Sequence, residues 1–96
     1  MSDADRIITP AQARAARALV SWSQRDLAAH AGVAEPTITQ FERGNRNPSR
    51  AVARAIRTAL ETAGVEFIAA HATSLTGGEG VRLRLQESEV ARKRTE

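Results

Sequence analysis

The sequence predicts a mainly α-helical domain of four helices, followed by a two-stranded β-hairpin. Helix start signals (a hydroxyl residue or proline) and stop signals (glycine) recur along residues 9–64. Beyond this point two short β-type runs occupy residues 65–68 and 81–85, and the second alternates strictly between apolar and charged residues. At 96 residues the chain has room for one domain with one modest core.

The first helix begins at a recognisable cap. Thr9 supplies a hydroxyl N-cap, and Pro10 suits the first helical position, where its missing N–H costs nothing. This helix is rich in alanine and is expected to end near Val20 or Trp22. Leu19, Val20 and Trp22 are expected to supply its larger apolar contacts.

The second helix carries a variant of the capping box, with Ser23 as the cap and Asp26 three residues later in place of Glu. It is expected to end at Gly32, where a left-handed backbone conformation carries little steric cost. The third helix starts around Pro36 and stops at Gly44.

The fourth helix opens at Pro48 or Ser49 and ends at Gly64. Its apolar residues recur at helical spacing and form one stripe of Val52, Ile56, Ala59 and Leu60. Residues 65–85 are expected to form the hairpin, with a loop ending in residues 77–80. Residues 1–8 are expected to form a loosely attached arm and residues 86–96 a charged tail.

Composition excludes several classes of protein. The chain has no cysteine, so it has neither disulfides nor a thiolate metal site. No apolar run approaches the roughly 20 residues that span a membrane, and the N-terminus lacks a signal-peptide pattern, so we expect a soluble, cytoplasmic chain that does not bind membranes. His30 and His71 stand alone, without a partner at metal-ligand spacing, and no catalytic motif is present. The sequence therefore predicts neither an enzyme nor a bound metal or cofactor.

Positive charge is concentrated in the N-terminal two-thirds of the chain. Residues 6–57 contain nine arginines and three acidic residues, a net charge of +6. Residues 58–96 contain five basic and six acidic residues, a net charge of −1. This asymmetry is what a phosphate-binding surface requires, although an arginine-rich solvated surface would show it as well.

Residues 23–44 have the spacing of a helix-turn-helix. Counted from Gln24, the fifth residue is Ala28, small enough for the closest approach of two helices, and the ninth is Gly32, which suits a tight turn. The remaining apolar positions fix the third helix on the first two and leave its outer side exposed; they are Leu27, Ala31, Val33, Ile38 and Phe41.

At these residues the sequence resembles the Xre family, the helix-turn-helix proteins of the Cro and phage-repressor type. The resemblance is carried by residues 23–28, 31–33 and 37–44, and it covers about residues 10–63. It implies a lambda-repressor-like domain that binds double-stranded DNA. It also implies a prokaryotic transcriptional regulator, usually a repressor that covers a promoter.

The resemblance implies roles for individual side chains. Arg17 and Glu42 match positions that form a structural ion pair, whose loss could cost about 3–5 kcal/mol if it is well buried. The expected phosphate contacts are Gln24, Arg43, Arg46 and Asn47, with Arg50 as a further candidate. The expected base-reading positions are Glu35, Pro36, Thr37, Thr39 and Gln40. Other arginines, Arg14, Arg54 and Arg57, are expected on solvated helix faces.

Several of these roles have alternatives. Glu35 is a good capping residue, but it could also accept a hydrogen bond from cytosine N4. Pro36 could act through shape or contact with a thymine methyl, and Gln40 could bond adenine N6 and N7 together. Thr37 and Thr39 could contact either phosphate or a base.

A single recognition helix reads only a few base pairs, so we expect a homodimer that uses two-fold symmetry, with the hairpin in its interface. The alternatives are a protein-interaction module that uses this fold for a protein partner, and the antitoxin of a toxin–antitoxin pair.

Overall fold

A computed structural model of the protein describes residues 7–44, 49–72 and 74–85. Its elements follow in the order α1 (Pro10–Val20), α2 (Gln24–Ala31), α3 (Glu35–Glu42), α4 (Arg50–Thr62), β1 (Val65–Ile68) and β2 (Gly80–Leu83). The predicted fold class is therefore confirmed. Most of the predicted arm (residues 1–6), the predicted phosphate contacts Arg46 and Asn47, and the predicted tail (residues 86–96) lie outside the described residues.

Both predicted caps at the start of the first two helices are present. The Thr9 hydroxyl accepts a hydrogen bond from the Gln12 amide at 3.0 Å, and the Gln12 side chain accepts one from the Thr9 amide at 2.9 Å. Ser23 and Asp26 form the same reciprocal pair at 3.0 and 2.9 Å. These bonds satisfy backbone donors that have no partner inside the helix, so the sequence alone fixes where α1 and α2 begin.

The hydrophobic core lies between the helices and one face of the hairpin. Its largest fully buried side chains come from α2, α3, α4 and β1, namely Leu27, Ile38, Ile56, Leu60 and Val65. The fully buried apolar residues of α1 are the small Ala13 and Ala16, which allow close packing. Because Val65 belongs to the same cluster as the helical residues, the hairpin completes the helical core.

Strands β1 and β2 pair antiparallel, with Val65 opposite Leu83 and Ile68 opposite Gly80. Strand β1 has the predicted bounds, but β2 was predicted over residues 81–85 and is observed over Gly80–Leu83. The pairing stops at Leu83 because Gly64, two residues after the end of helix α4, uses its own amide to bond the Glu61 carbonyl. Only its carbonyl oxygen is left for β2, and it accepts from the Arg84 amide at 2.8 Å.

Helix α1 is tied to the hairpin through one buried polar side chain. The Gln12 Nε2 group donates to the carbonyl of Gly80 at 2.9 Å and to that of Ile68 at 3.3 Å. The Gln12 Oε1 atom is already used in the cap of α1, so this amide is fully engaged. These two bonds join residues that are separated by 56 and by 68 positions in the chain, and the sequence pattern does not reveal them.

Two expectations for the N-terminal part are wrong. Ile8, expected in a loosely attached arm, is buried in the core with 3% of its surface exposed. Leu19, expected to make apolar contacts, is 40% exposed, because the inward side of α1 passes through Ala13, Ala16 and Val20 and Leu19 lies beside it. Within the described ranges no helix combines the length and the apolar character that crossing a bilayer requires.

Candidate nucleic-acid interface

Helices α2 and α3 form the predicted helix-turn-helix. Helix α2 ends at Gly32, whose φ of 72° is the left-handed conformation that glycine adopts most easily. The turn is closed by a hydrogen bond from the Val33 amide to the Ala28 carbonyl at 3.1 Å. Ala28 is buried, as a residue at the closest approach of the two helices must be.

Helix α3 has a buried side and an exposed side. Ile38, Phe41 and Glu42 are buried against the rest of the domain. The candidate recognition surface, defined here as Glu35, Pro36, Thr39, Gln40 and Arg43, lines a shallow open groove along the other side. Four of these residues are exposed, whereas Thr39 is half-buried, as is the neighbouring Thr37. The structure therefore brings together five of the predicted DNA-contacting residues on one surface.

The N-terminus of α3 differs from the expectation that Glu35 caps it. The capping position is Ala34, with φ −72° and ψ 147°, and it offers no side chain to the backbone. Glu35 is already the first helical residue, because the turn after Gly32 takes up only Val33 and Ala34. Its carboxylate lies in the first turn, where the helix dipole favours negative charge.

The buried side of α3 carries an ion pair with α1. The Arg17 guanidinium binds the Glu42 carboxylate through two bonds, Nε to Oε2 at 2.7 Å and Nη2 to Oε1 at 2.8 Å. A third donor of Arg17 reaches the Trp22 carbonyl at 3.0 Å. The hydrogen bond to Glu42 raises the pKa of the Arg17 side chain. The two-pronged geometry fixes how α3 lies on α1.

A chain of hydrogen bonds runs from this ion pair to the exposed side of α3. The Gln24 Nε2 atom donates to the Glu42 Oε1 atom at 3.1 Å. The Thr39 hydroxyl in turn donates to the Gln24 Oε1 atom at 2.8 Å. Gln24, a predicted phosphate contact, and Thr39, predicted at a phosphate or a base, are thus bonded to each other across the two helices of the motif.

Sequence reasoning missed one contact at the far end of α3. Arg14, expected on a solvated face, donates from Nη1 to the backbone carbonyl of Glu42, the last helical residue. A positive side chain at a helix C-terminus satisfies a free carbonyl and complements the helix dipole. The available signal was the spacing of Arg14 and Arg17, which places both on one side of α1.

Four further arginines fall into two groups. Arg43, Arg50 and Arg54 are exposed. Arg57 was expected on a solvated face, but its side chain is mostly buried, pairs with Glu61 at 3.0 Å and lies over the Phe67 ring at 5.5 Å. The expectation for Arg57 was wrong because the hairpin folds back onto α4 and covers it.

Trp22 and His30 stack on each other at the end of α1 and α2. Their ring centroids are 4.1 Å apart and the planes differ by 16°. Trp22 is half-buried and packs against the core, which accords with a core residue rather than a platform for a nucleic-acid base. His30 bonds the Asp26 carbonyl through Nδ1 at 2.9 Å, as a partly packed surface histidine would.

The comparison with protein families agrees with this geometry. A family model described as helix-turn-helix matches residues 14–67, which is more than half of the chain and includes all of α2, α3 and α4. No curated protein matches the sequence. The matched segment contains the buried positions, the turn and the exposed recognition surface described above. The chain therefore belongs to the Xre-type helix-turn-helix family of DNA-binding regulators.

Proposed function

We propose that the protein is a sequence-specific transcriptional regulator of a prokaryote, which binds double-stranded DNA in the cytoplasm as a homodimer and represses by covering a promoter. The observation that carries the proposal is the division of α3, whose inner side is held in the core while its outer side presents polar residues in an open groove. A helix held in this way can enter the major groove as a rigid unit.

Within this proposal, Gln40 is the main base-reading residue. Its side chain is exposed on the recognition surface, and a glutamine can bond adenine N6 and N7 together. Glu35 adds an acceptor that suits cytosine N4, and Pro36 acts through shape or through thymine methyl contact. Thr37 contacts a phosphate or a base. Arg43 and Arg50 bind phosphates, as would Arg46 and Asn47 in the segment between them.

Selection of bound sequences from a random DNA pool tests the proposal directly. We expect one enriched motif with two-fold symmetry and half-sites about one DNA turn, or roughly 34 Å, apart. Gln40→Ala should lower affinity for that motif by about 10-fold and relax the preference at one position in each half-site. Arg43→Ala should weaken binding to all sequences and reduce the salt slope by about 1.

Arg82→Ala is the matched control, since it removes one positive charge from the hairpin instead of from the recognition surface. We expect it to leave the base preferences of the motif unchanged. A pool without enrichment, or a flat dependence of affinity on salt, would refute the DNA-binding proposal. If the recognition-surface variants instead lost a bound protein partner, the interaction-module or antitoxin alternative would replace it.

The open edge of β2 supports the homodimer. The bond from the Arg84 amide to Gly64, together with the register, makes Glu66–Arg82 and Ile68–Gly80 the hydrogen-bonded pairs. The backbone groups of Val81 and Leu83 therefore point away from β1, toward the outer edge. An edge strand of this kind can pair with the same strand of a second copy.

The side chains near this edge are also apolar and exposed. Leu83 is 48% and Leu85 is 57% exposed, which is unusual for two leucines at alternate positions of one strand and its extension. Antiparallel pairing of two β2 strands would cover both leucines in each copy and would make one four-stranded sheet.

Sedimentation at tens of micromolar protein tests this arrangement. We expect a dimer for the wild type and a monomer for Leu83→Lys, because the new charge lies at the paired edge. Leu75→Lys is the matched control, since Leu75 is exposed in the loop between the strands and away from the edge. A wild-type protein that sediments as a clean monomer would contradict the proposal.

A further inference from the structure

We propose that Thr39 is a positioning residue, which holds the side-chain amide of Gln24 with an N–H group available to a DNA phosphate and does not itself read a base. The inference rests on the proposed DNA-binding function and assigns one side chain of the recognition surface. It follows from the direction of each hydrogen bond between the ion pair and the surface of α3.

The charge of Glu42 determines the direction of its hydrogen bond with Gln24. Glu42 is bound to Arg17 through both of its oxygens, and a carboxylate paired with a guanidinium is ionised. An ionised carboxylate only accepts hydrogen bonds. The Gln24 atom that lies 3.1 Å from the Glu42 Oε1 atom must therefore be the nitrogen, and the amide has one orientation.

This orientation determines the role of Thr39. With Nε2 directed at Glu42, the Gln24 Oε1 atom faces the Thr39 hydroxyl at 2.8 Å, and a carbonyl oxygen can only accept. The single hydroxyl proton of Thr39 is therefore donated to Gln24. The backbone carbonyl of Glu35, at 3.3 Å, is a more distant acceptor for the same proton.

Consequently Thr39 has only lone pairs left to offer. A phosphate oxygen is also an acceptor, so Thr39 cannot bind phosphate while it holds Gln24. Of the two roles that the sequence left open for Thr39, phosphate contact and base reading, the first is incompatible with this bond. Its half-buried position, in contrast to the exposed Gln40 beside it, argues against the second.

Gln24, in contrast to Thr39, still has an N–H group that it can donate. Its Nε2 group carries two N–H bonds, of which one is given to Glu42, and no described residue accepts the other. Gln24 is also the first residue of α2, where the helix dipole favours an anion. A fixed amide donor at a helix start binds a phosphate without the entropic cost of ordering a free side chain.

Replacing Thr39 by valine keeps the shape of the side chain and removes the hydroxyl. We expect Thr39→Val to weaken binding to the selected motif and to random DNA by the same factor, about 10-fold, because the lost interaction is with phosphate. The base preferences of the motif should not change. Thr39→Ser keeps the hydroxyl and should restore binding.

The amide of Gln24 can also be observed without DNA. In the free wild-type protein we expect the two Nε2 proton resonances of Gln24 to differ in chemical shift, and the proton that is donated to Glu42 to exchange slowly with water. In Thr39→Val the amide loses its partner at Oε1, so faster exchange is expected, and Thr39→Ser should return it to the wild-type rate. The unfolding midpoint of each variant shows that the fold is retained.

Three results would overturn the inference. One is a change of preference at a single base pair in Thr39→Val with unchanged affinity for random DNA, which would make Thr39 a base reader. Another is an unchanged Gln24 amide in the free Thr39→Val protein. The third is full binding by Thr39→Val. Absence of DNA binding by the wild type would instead refute the proposed function, and the measurement on the free protein would still decide whether Thr39 orients Gln24.

Discussion

Helices α2 and α3 have the same length of eight residues, and they pack against each other, but they begin in different ways. Helix α2 starts with a reciprocal capping box between Ser23 and Asp26. Helix α3 starts at Ala34, which makes no side-chain cap, and then has Glu35 and Pro36. One helix is defined by its own sequence at its start, and the other is not.

The structure holds α3 from its other end. Phe41 and Glu42, in its last turn, are buried, and Arg14 and Arg17 of α1 bond the backbone and the side chain of Glu42. The two helices of the motif are therefore held in different ways. Helix α2 is fixed locally and supplies a stable support, whereas α3 is fixed at its C-terminal end by tertiary contacts. The first two residues of α3, Glu35 and Pro36, thus remain exposed.

The largest effect on stability should come from removing the Arg17–Glu42 ion pair, which holds α3 on α1. Glu42→Gln leaves the mostly buried Arg17 without its ionic partner, and we expect the free energy of unfolding to fall by about 3–5 kcal/mol. Urea unfolding followed by circular dichroism measures this change. Glu42 is only 3% exposed and the Arg17 side chain 20%, so little water reaches the pair.

The exposed pair Glu66–Arg82 in the hairpin is a matched control for this variant. It also joins a carboxylate and a guanidinium, at 2.9 Å. Glu66→Gln should cost less than about 1 kcal/mol, as is typical of surface ion pairs. Equal costs for the two variants would show that α3 is not held by the Arg17–Glu42 pair.

The next effect concerns the start of α2. Ser23→Ala removes the hydroxyl that accepts from the Asp26 amide, and we expect a loss of about 1 kcal/mol in the free energy of unfolding. The midpoint of thermal unfolding is a suitable measurement, with Ser23→Thr as the variant that keeps a cap. An unchanged midpoint in Ser23→Ala would mean that α2 is also fixed by tertiary contacts alone.

At the start of α3 a capping hydroxyl can be added instead of removed. Ala34 already has the extended backbone conformation of a capping residue, so Ala34→Ser supplies the missing hydroxyl without strain. We expect a gain of about 0.5 kcal/mol, which is less than the loss in Ser23→Ala because the Thr37 amide already bonds the Ala34 carbonyl at 3.0 Å. The same unfolding experiment would refute this if Ala34→Ser were destabilising.

The smallest effect is a dependence on pH from Asp26. Hydrogen bonds from the backbone and side chain of Ser23 lower the pKa of this carboxyl group below its ordinary value. The folded state therefore favours ionised Asp26, and the resulting stabilisation is complete above the unfolded pKa of about 3.9 and is lost as the pH falls through the lower folded value. Asp26→Asn should remove this contribution.

Unfolding measured from neutral to acidic pH checks the sign. The wild type should be more stable than Asp26→Asn near neutrality, and the difference should shrink as the solution becomes acidic. A difference that stays constant over the whole range would show that the carboxylate charge has no part in the cap.

The comparison of the two helices also shows what can be predicted from the sequence. The caps at Thr9 and Ser23 and the turn at Gly32 involve residues close together in the chain, and residue types with few alternatives identify them. The four helices and the antiparallel hairpin follow from these signals and from apolar spacing. Such start signals do not locate the beginning of α3, because no side chain caps this helix. Glu35 was the nearest residue of a type that caps helices.

Contacts between distant residues could not be predicted in the same way. Arg14, Gln12 and Arg57 look like ordinary surface residues in the sequence, and their partners depend on how the helices and the hairpin pack. Within the candidate site, helical periodicity indicates which residues of α3 face outward. It cannot reveal that the Thr39 hydroxyl is engaged by Gln24, because that bond depends on the position of another helix.

The hydrogen bonds of Gln12 bear on where the chain can be truncated. Its amide caps α1 on one side and binds both strands of the hairpin on the other. A chain that ended at Gly64, where the helices stop, would leave the Nε2 group of Gln12 without its acceptors and would uncover the core face beneath Val65. Each such hydrogen bond contributes about 0.5–1.5 kcal/mol. We therefore expect the smallest stable unit of the domain to extend at least to Leu83.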